Sequence, residues 1–379
     1  MLKLGIIGYG FRTFTMLKEI LRTGEVTVTA VCDVNFDSVE KYAKENGVEG
    51  FNCYTDAKEM LDKEALDGVF VGTRCSLHTD FARLVASYGI PLFLEKPVAT
   101  NREDVARLKE ILYHSDKTVV SFPLRVTDIV LRVREIVESG RIGTLSQVQA
   151  YNNVPYGRVY FHDWYRNDSE TGGLFLQKST HDFDYINSLL GSLSPVSVCA
   201  MESKMIFKGD KPAGVACESC KEKDTCPEGP DRLRKMGVDP TGNHCCFAVD
   251  TGNQDSGSVI VRYENGLHVV YTQNFVAREG AAKRGARLIG YLGTVEFDFP
   301  SAIITIYDHM TSKVETIDLS EDKGNHFGGD RRLAESFIAV MQGAHSPSTL
   351  AEGILSVEMC LAAKESTAEQ RFVPVNFRK

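Results

Sequence analysis

The amino terminus constrains this chain most. The apolar run Leu2-Lys3-Leu4-Gly5-Ile6-Ile7 passes directly into Gly8-Tyr9-Gly10-Phe11-Arg12-Thr13, and helical periodicity continues over Thr15–Leu21. A strand that feeds a helix through a two-glycine turn aims backbone N–H groups and the positive end of a helix dipole at one point, which suits a pyrophosphate. The first glycine permits the tight turn and the second permits close approach. Thr13 stands where a third glycine would let helix and strand pack closely, so slightly looser packing is expected there. A single G-x-G is also an ordinary turn, so its meaning depends on the segments downstream of it.

Those segments repeat the strand–helix alternation. Val26–Cys32 reads as a second strand and ends at Asp33. A carboxylate at that point can accept hydrogen bonds from the adenosine ribose and repels a 2′-phosphate, favouring NAD over NADP. A turn or capping role before Ser38 is the plain alternative for Asp33. Strands at Asp67–Thr73, Ile90–Leu94 and Thr118–Phe122 alternate with helices at Leu77–Tyr88 and Asn101–Leu112. Such alternation implies a doubly wound parallel sheet, a Rossmann domain over residues 1–122. Ligands of these sheets bind at the carboxyl ends of the strands. Glu95-Lys96-Pro97 sits at such an end; taken alone it could be a salt bridge beside a turn.

From Gly143 the pattern changes. Leu145–Val154, Val196–Phe207, Ser256–Tyr263, Leu267–Phe275, Ala286–Tyr291, Thr294–Phe299, Ala302–Tyr307 and Lys313–Leu319 read as strands, the later ones joined by short turns. Residues 123–379 are therefore expected to form an α+β domain with a large, mostly antiparallel open sheet, and the C-terminal helix can pack back on the first domain. Residues 208–250 read as a cysteine-rich insertion. Cys217, Cys220, Cys226, Cys245 and Cys246 within it suggest a closed structural zinc site, which of the last two ligates being open; an iron–sulfur cluster and free thiols are the alternatives. The other five cysteines are scattered and read as buried thiols.

At net charge −8 and pI near 5.7, the chain lacks the basic footprint of a nucleic-acid binder. It has no apolar run of membrane-spanning length and no signal-peptide profile at its start, so a cytoplasmic protein is expected. In Gly172-Gly173-Leu174-Phe175-Leu176-Gln177-Lys178-Ser179-Thr180-His181-Asp182-Phe183-Asp184, a histidine near a helix start beside carboxylates is a candidate general base, with a capping or core histidine as the alternative. Tyr156, His162, Trp164, Tyr165 and Arg166 precede it and suit a sugar, or fill core. His326-Phe327-Gly328-Gly329-Asp330 opens a later helix, where Asp330 reads as an N-terminal cap.

Taken together, the turn at Gly8 and Gly10, Asp33, the loop Thr73–His78, Glu95-Lys96-Pro97, Arg125 and the Gly172–His181 segment resemble the glucose–fructose oxidoreductase/inositol dehydrogenase (Gfo/Idh/MocA) family over nearly the whole chain. The resemblance implies NAD(P)-dependent oxidation or reduction of a sugar, polyol or related carbohydrate, by homodimers or homotetramers built through the second sheet. It implies Lys96 and His181 as catalytic residues. Gly8, Gly10, Phe11, Arg12, Asp33, Thr73, His78, Glu95, Lys96 and Arg125 would meet the cofactor, and Trp164, Arg166, Lys178, Asp182 and His326 the substrate. The family often has an aspartate four residues before its histidine; here it is Gln177, and Asp182 or Asp184 is expected to orient the imidazole instead. A lysine beside an oxidised nicotinamide should have a lowered pKa. Two other outcomes are compatible with the same parts. One is a redox-neutral glycosidase or lyase that oxidises its sugar transiently; the other is a non-catalytic NAD-bound sensor.

Overall fold

The computed structural model describes residues 1–238, 240–320 and 325–377; Asp239, inside the expected insertion, lies outside them. The first half forms six strands: β1 (Leu2–Ile7), β2 (Val26–Cys32), β3 (Asn52–Tyr54), β4 (Gly68–Val71), β5 (Leu92–Leu94) and β6 (Thr118–Val120). All pair in parallel in the order β3-β2-β1-β4-β5-β6. Helices cover both faces, so β4 and β5 are buried at every residue and show no alternation. The strand order reverses between β1 and β4, which opens a crevice at their carboxyl ends. β3 and the helix Ala57–Lys63 after it went unread because β3 is short, at the edge and largely exposed.

The packing at Thr13 differs from expectation. Thr13 is fully buried, and its hydroxyl donates to the Gly8 carbonyl at 2.7 Å. A Cβ on Gly72 would come within 2.1 Å of that hydroxyl, so a glycine on β4's exit loop makes the room that a third glycine in the turn would have made. The packing is close, with the small residue moved to the facing chain.

The second half builds a nine-stranded sheet from β7 (Leu145–Asn153), β8 (Pro195–Ser203), β9 (Ser256–Tyr263), β10 (His268–Asn274), β11 (Lys283–Gly290), β12 (Gly293–Asp298), β13 (Ile303–Asp308), β14 (Val314–Asp318) and β15 (Val373–Pro374). Its order is β14-β13-β12-β11-β7-β10-β9-β8-β15, and of these neighbours β7 and β10 pair in parallel. β9 alternates buried and exposed residues, as a sheet with one covered face requires.

One helix fixes the two sheets relative to each other. Leu350–Glu369 begins with a capping box between Thr349 and Glu352 and is buried on most sides. Its Gly353 lies against Val98 and Val120 of the first half, where a Cβ would meet Val98 at 2.8 Å. On its other side, Ser356 donates to the Thr180 carbonyl at 2.6 Å, and Ser366 accepts from the Ala200 amide on β8 at 2.9 Å. Buried Glu358 is matched by Arg102 at 2.8 Å and Lys109 at 2.7 Å, both on the first half's helix Arg102–Lys109. Among the described residues no helix is long and apolar enough to cross a membrane.

Candidate active site

The carboxyl ends of β1, β4 and β5 face the start of the helix Thr180–Leu189. At the first of these ends Gly8 has φ +84°, and a Cβ there would meet the Gly72 and Thr73 backbone at 2.9 Å. Gly10, by contrast, faces open space, with nothing within 4 Å of an added Cβ. It caps the helix Phe11–Leu21 without a side-chain hydrogen bond, so the first-turn N–H groups stay available to an anion. Phe11 is exposed beside them. The Asp33 carboxylate accepts from the Tyr9 amide at 2.7 Å and the Asn35 amide at 2.8 Å, one per oxygen, and keeps lone pairs for further donors.

Arg12 has other partners than a phosphate. Its Nε reaches Glu95 at 3.0 Å and its two terminal nitrogens bracket Asp330 at 2.8 and 2.7 Å. Glu95 and Asp330 are both buried, so the guanidinium is the cation that two desolvated carboxylates require, and it ties the β5 exit to the helix Gly329–Met341. Arg125 is likewise buried between Asp184 at 3.0 Å and Glu352 at 2.5 Å. His78 is buried between the Pro97 carbonyl, 2.8 Å from Nδ1, and the Thr73 carbonyl, 3.2 Å from Nε2, and as a neutral ring it donates to one of the two. Burial lowers its pKa and keeps it neutral.

Lys96 leaves the end of β5, and its Nζ donates to the Gln177 carbonyl at 3.0 Å, one turn before His181. Burial, then the neighbouring Lys178 ammonium, bring the Lys96 pKa down to about 8. His181 is held far below the ordinary imidazole range by burial, then by Lys96, Arg284, His326 and Lys178. Its buried Nδ1 has no hydrogen-bond partner among the described residues. Phe122 packs edge-on to its ring and the His326 ring is 6.3 Å away. Gln177 and Lys178 lie in a π-helical stretch, Phe175–Ser179, a local widening often found at functional sites. Gln177 is anchored, its amide donating to the Thr171 carbonyl at 3.1 Å and the Cys75 sulfur at 3.5 Å. Lys178 is buried, and its Nζ meets the Tyr156 hydroxyl at 2.6 Å. Desolvation would raise the Tyr156 phenol, but the residue is 53% exposed, and the Lys178 and Arg284 cations outweigh it and lower the phenol.

Several expected substrate contacts have structural partners. The fully buried Asp182 carboxylate accepts from Asn152 at 2.9 Å, Tyr271 at 2.8 Å and Arg284 at 2.8 Å. It therefore braces the sheet, and with Nδ1 of His181 unpartnered, no aspartate orients the imidazole through that atom. Arg166 is buried and binds Asp250 at 2.8 Å, Thr251 at 2.7 Å and the Cys245 carbonyl at 3.3 Å, which ties down the insertion rather than presenting a charge to a ligand. Trp164 lies nearer the crevice: the Arg74 guanidinium of the first half stacks 3.8 Å from its ring, and Tyr165 stacks behind at 3.9 Å. His326 donates from Nδ1 to the Asp330 carboxylate at 2.9 Å, with His326 and Phe327 both in the left-handed backbone region, a strain typical of functional segments.

The expected zinc site does not form. Among the described residues no group of three or more His, Cys, Asp or Glu side chains is placed to hold a metal ion. Cys246 packs into an apolar cluster with Phe161, Phe207 and Phe275, and burial pushes its thiol far up. Cys217 is raised to about 11 by burial and then by Cys245, and its sulfur donates to the His244 carbonyl at 3.4 Å. Cys217, Cys220, Cys226, Cys245 and Cys246 form no disulfide.

Arg284 was missed from the sequence because β11 was read from Ala286 onward. The signal was there: Arg284 shares the inward parity of Ala286 and Leu288, both fully buried, so a period-two count puts its charge on the covered face.

Residues 2–122 match the profile of an oxidoreductase family with an NAD-binding Rossmann fold, and residues 130–296 match the GFO/IDH/MocA C-terminal domain. The chain is 27% identical to the putative oxidoreductase YteT of Bacillus subtilis over 74% of each chain. It is 28% identical to the inositol 2-dehydrogenase of Rhizobium meliloti, over 56% of this chain and 62% of that one. The matches span about half to three quarters of such relatives' lengths. Among solved structures, a levoglucosan dehydrogenase in complex with NADH superposes with TM-score 0.79 at 18% identity, covering 99% of both chains. A myo-inositol 2-dehydrogenase from Lactobacillus plantarum gives 0.72 at 18%, covering 99% of both.

Proposed function

The chain belongs to the GFO/IDH/MocA oxidoreductase family, and from that premise we propose that it oxidises a secondary alcohol of a sugar, polyol or related carbohydrate with NAD. The single observation that carries this reading is the approach of Lys96, from the β5 exit, to His181, from the second half, across the crevice. The open space at Gly10, the uncapped helix start and the Asp33 carboxylate fit a dinucleotide, and Asp33 favours NAD over NADP. Bound NAD would accept the hydride that leaves the carbinol carbon, while the hydroxyl proton stays with the protein.

His181 is neutral at working pH, and in the tautomer that leaves Nε2 unprotonated that nitrogen, rather than the buried Nδ1, accepts the hydrogen bond of the reacting hydroxyl. Lys96 is neutral above about 8 and takes the proton. The Lys96 ammonium is part of the field that keeps His181 neutral. Trp164 and Arg74 close one side of the crevice against water. The exposed Met201 and Ile260 on the outer face of the nine-stranded sheet support association of identical chains there. Ten free cysteines suit the reducing cytoplasm.

Incubation with NAD and a panel of sugars, polyols and glycosides, with NADH absorbance and product release measured together, tests the reading. NADH accumulation supports it. Cleavage without NADH marks a redox-neutral enzyme, and binding without turnover a sensor. Lys96→Ala should lower turnover by about a thousandfold or more while NADH still binds; normal turnover in that variant would refute the assignment.

A further inference from the structure

The crevice contains cations that no carboxylate matches. Arg12, Lys96, Lys178 and Arg284 bear on it, and the acidic groups beside them are Glu95, Asp182 and Asp330. All three carboxylates are already bonded: Glu95 to Arg12, Asp330 to Arg12 and His326, and Asp182 to Asn152, Tyr271 and Arg284. Among the described residues no carboxylate pairs with Lys96 or Lys178: Lys96 meets a carbonyl, and Lys178 meets the Tyr156 hydroxyl and lies over the Tyr156 and Tyr160 rings. Arg284 spends its Nε on Asp182, and its Nη2 is buried without a hydrogen-bond partner. The Arg284 side chain is 11% exposed and Lys178 is 6% exposed, so water compensates little. Buried, unpaired positive charge is costly, and the positive ring of oxidised NAD would add to it. The Tyr156 hydroxyl accepts from Lys178 at 2.6 Å and also lies in the field of Arg284.

We propose that the substrate is an acidic carbohydrate, a sugar acid whose carboxylate lies between Arg284 Nη2 and Lys178 Nζ while the carbinol to be oxidised faces Lys96 and His181. This deepens the dehydrogenase reading and rests on it. The carboxylate is a spectator: the C–H bond breaks with its electron pair going to NAD, the O–H proton goes to the protein, a carbonyl forms, and the acid group is unchanged. Its role is orientation, since a fork of Arg and Lys donors fixes one end of the sugar and so selects which hydroxyl reaches His181.

The test compares matched pairs on the purified enzyme with NAD: galacturonate against galactose, and glucuronate against glucose. The acid of at least one pair should exceed its neutral partner by about tenfold or more in kcat/KM, mainly through KM, as a charge-assisted hydrogen bond predicts. In Lys178→Gln that ratio should fall to near one, and Lys178→Arg should preserve it, which separates lost charge from lost packing. Equal or better turnover of the neutral sugars by the wild type overturns the proposal, whatever the variants do. So does a ratio unchanged in Lys178→Gln, or a preference for hexose 6-phosphates over uronates. Calorimetry of uronate against the NADH complex separates the two levels. Uronate binding without turnover would sink the dehydrogenase reading and leave the anion site standing, while turnover confined to neutral sugars would do the reverse.

Discussion

Arg12→Met discriminates sharply between a cofactor ligand and an internal brace. In the folded chain its guanidinium makes one contact to Glu95 at 3.0 Å and two to Asp330 at 2.8 and 2.7 Å. Glu95 is 5% and Asp330 2% exposed, so the variant strands buried Glu95 and leaves buried Asp330 with His326 alone. Breaking a buried pair from one side costs about 3–5 kcal/mol. Arg12 itself is 28% exposed, which admits water to the gap and places the loss near the lower end, about 3 kcal/mol. Against ordinary stabilities of about 5–15 kcal/mol the variant still folds. Its urea midpoint should drop clearly, and a double-mutant cycle with Glu95→Gln should give a coupling of about 1.5 kcal/mol or more. Acid supplies a second readout. Burial would raise the Asp330 carboxyl, but Arg12 and His326 hold it well below the usual carboxylate range. A carboxyl depressed on folding contributes stability above its unfolded value, about 4, and loses it as pH falls through the folded value. The gap between wild type and Arg12→Met should therefore be full at neutral pH and shrink below about pH 4. A variant with an unchanged midpoint but NADH affinity reduced by about tenfold or more would refute the brace and make Arg12 a phosphate ligand.

The pH profile of kcat/KM for alcohol oxidation should rise about tenfold per unit below a midpoint near 8 and level above it, because only neutral Lys96 accepts the proton; a flat profile between pH 6 and 9, or a midpoint near the ordinary lysine value, would contradict the site. Gly8→Ala and Gly10→Ala should behave oppositely. The first, at φ +84° and against the Gly72 and Thr73 backbone, should lower unfolding free energy by about 2 kcal/mol or more. The second, in open space, should cost no more than about 1 kcal/mol of stability yet weaken NADH binding by about tenfold, measured by fluorescence titration; intact NADH affinity in Gly10→Ala would remove the pyrophosphate from that turn.

Features whose parts are neighbours in sequence were legible: the two-glycine turn, the strand ending in Glu95-Lys96-Pro97, and the segment running into His181. Each states its chemistry within a few residues, and the alternation of strands and helices determines the topology. Pairings across long separations were not legible. Residue type suggests a phosphate for Arg12, but the partner is decided by which groups folding desolvates, and Asp330 lies 318 residues away. In the same way Asp182, next to His181 in the chain, is claimed by Arg284 on β11. The C-x2-C spacing is plain, while the turn of Cys246 toward three phenylalanines depends on a core assembled from Phe161, Phe207 and Phe275. These cases share a cause: in a desolvated site every carboxylate finds a cation, and local sequence does not say which. The consequence is functional. Because Glu95, Asp182 and Asp330 are each bonded elsewhere, and because position 177 carries an amide instead of a carboxylate, burial and the Lys178 ammonium lower the Lys96 pKa against weaker opposition from Cys75, Glu95 and Tyr156. A carboxylate at position 177 would hold Lys96 protonated and raise its pKa. With none there to oppose them, burial and the Lys178 ammonium leave this lysine poised near 8, able to take a proton from an alcohol at the pH of the cell.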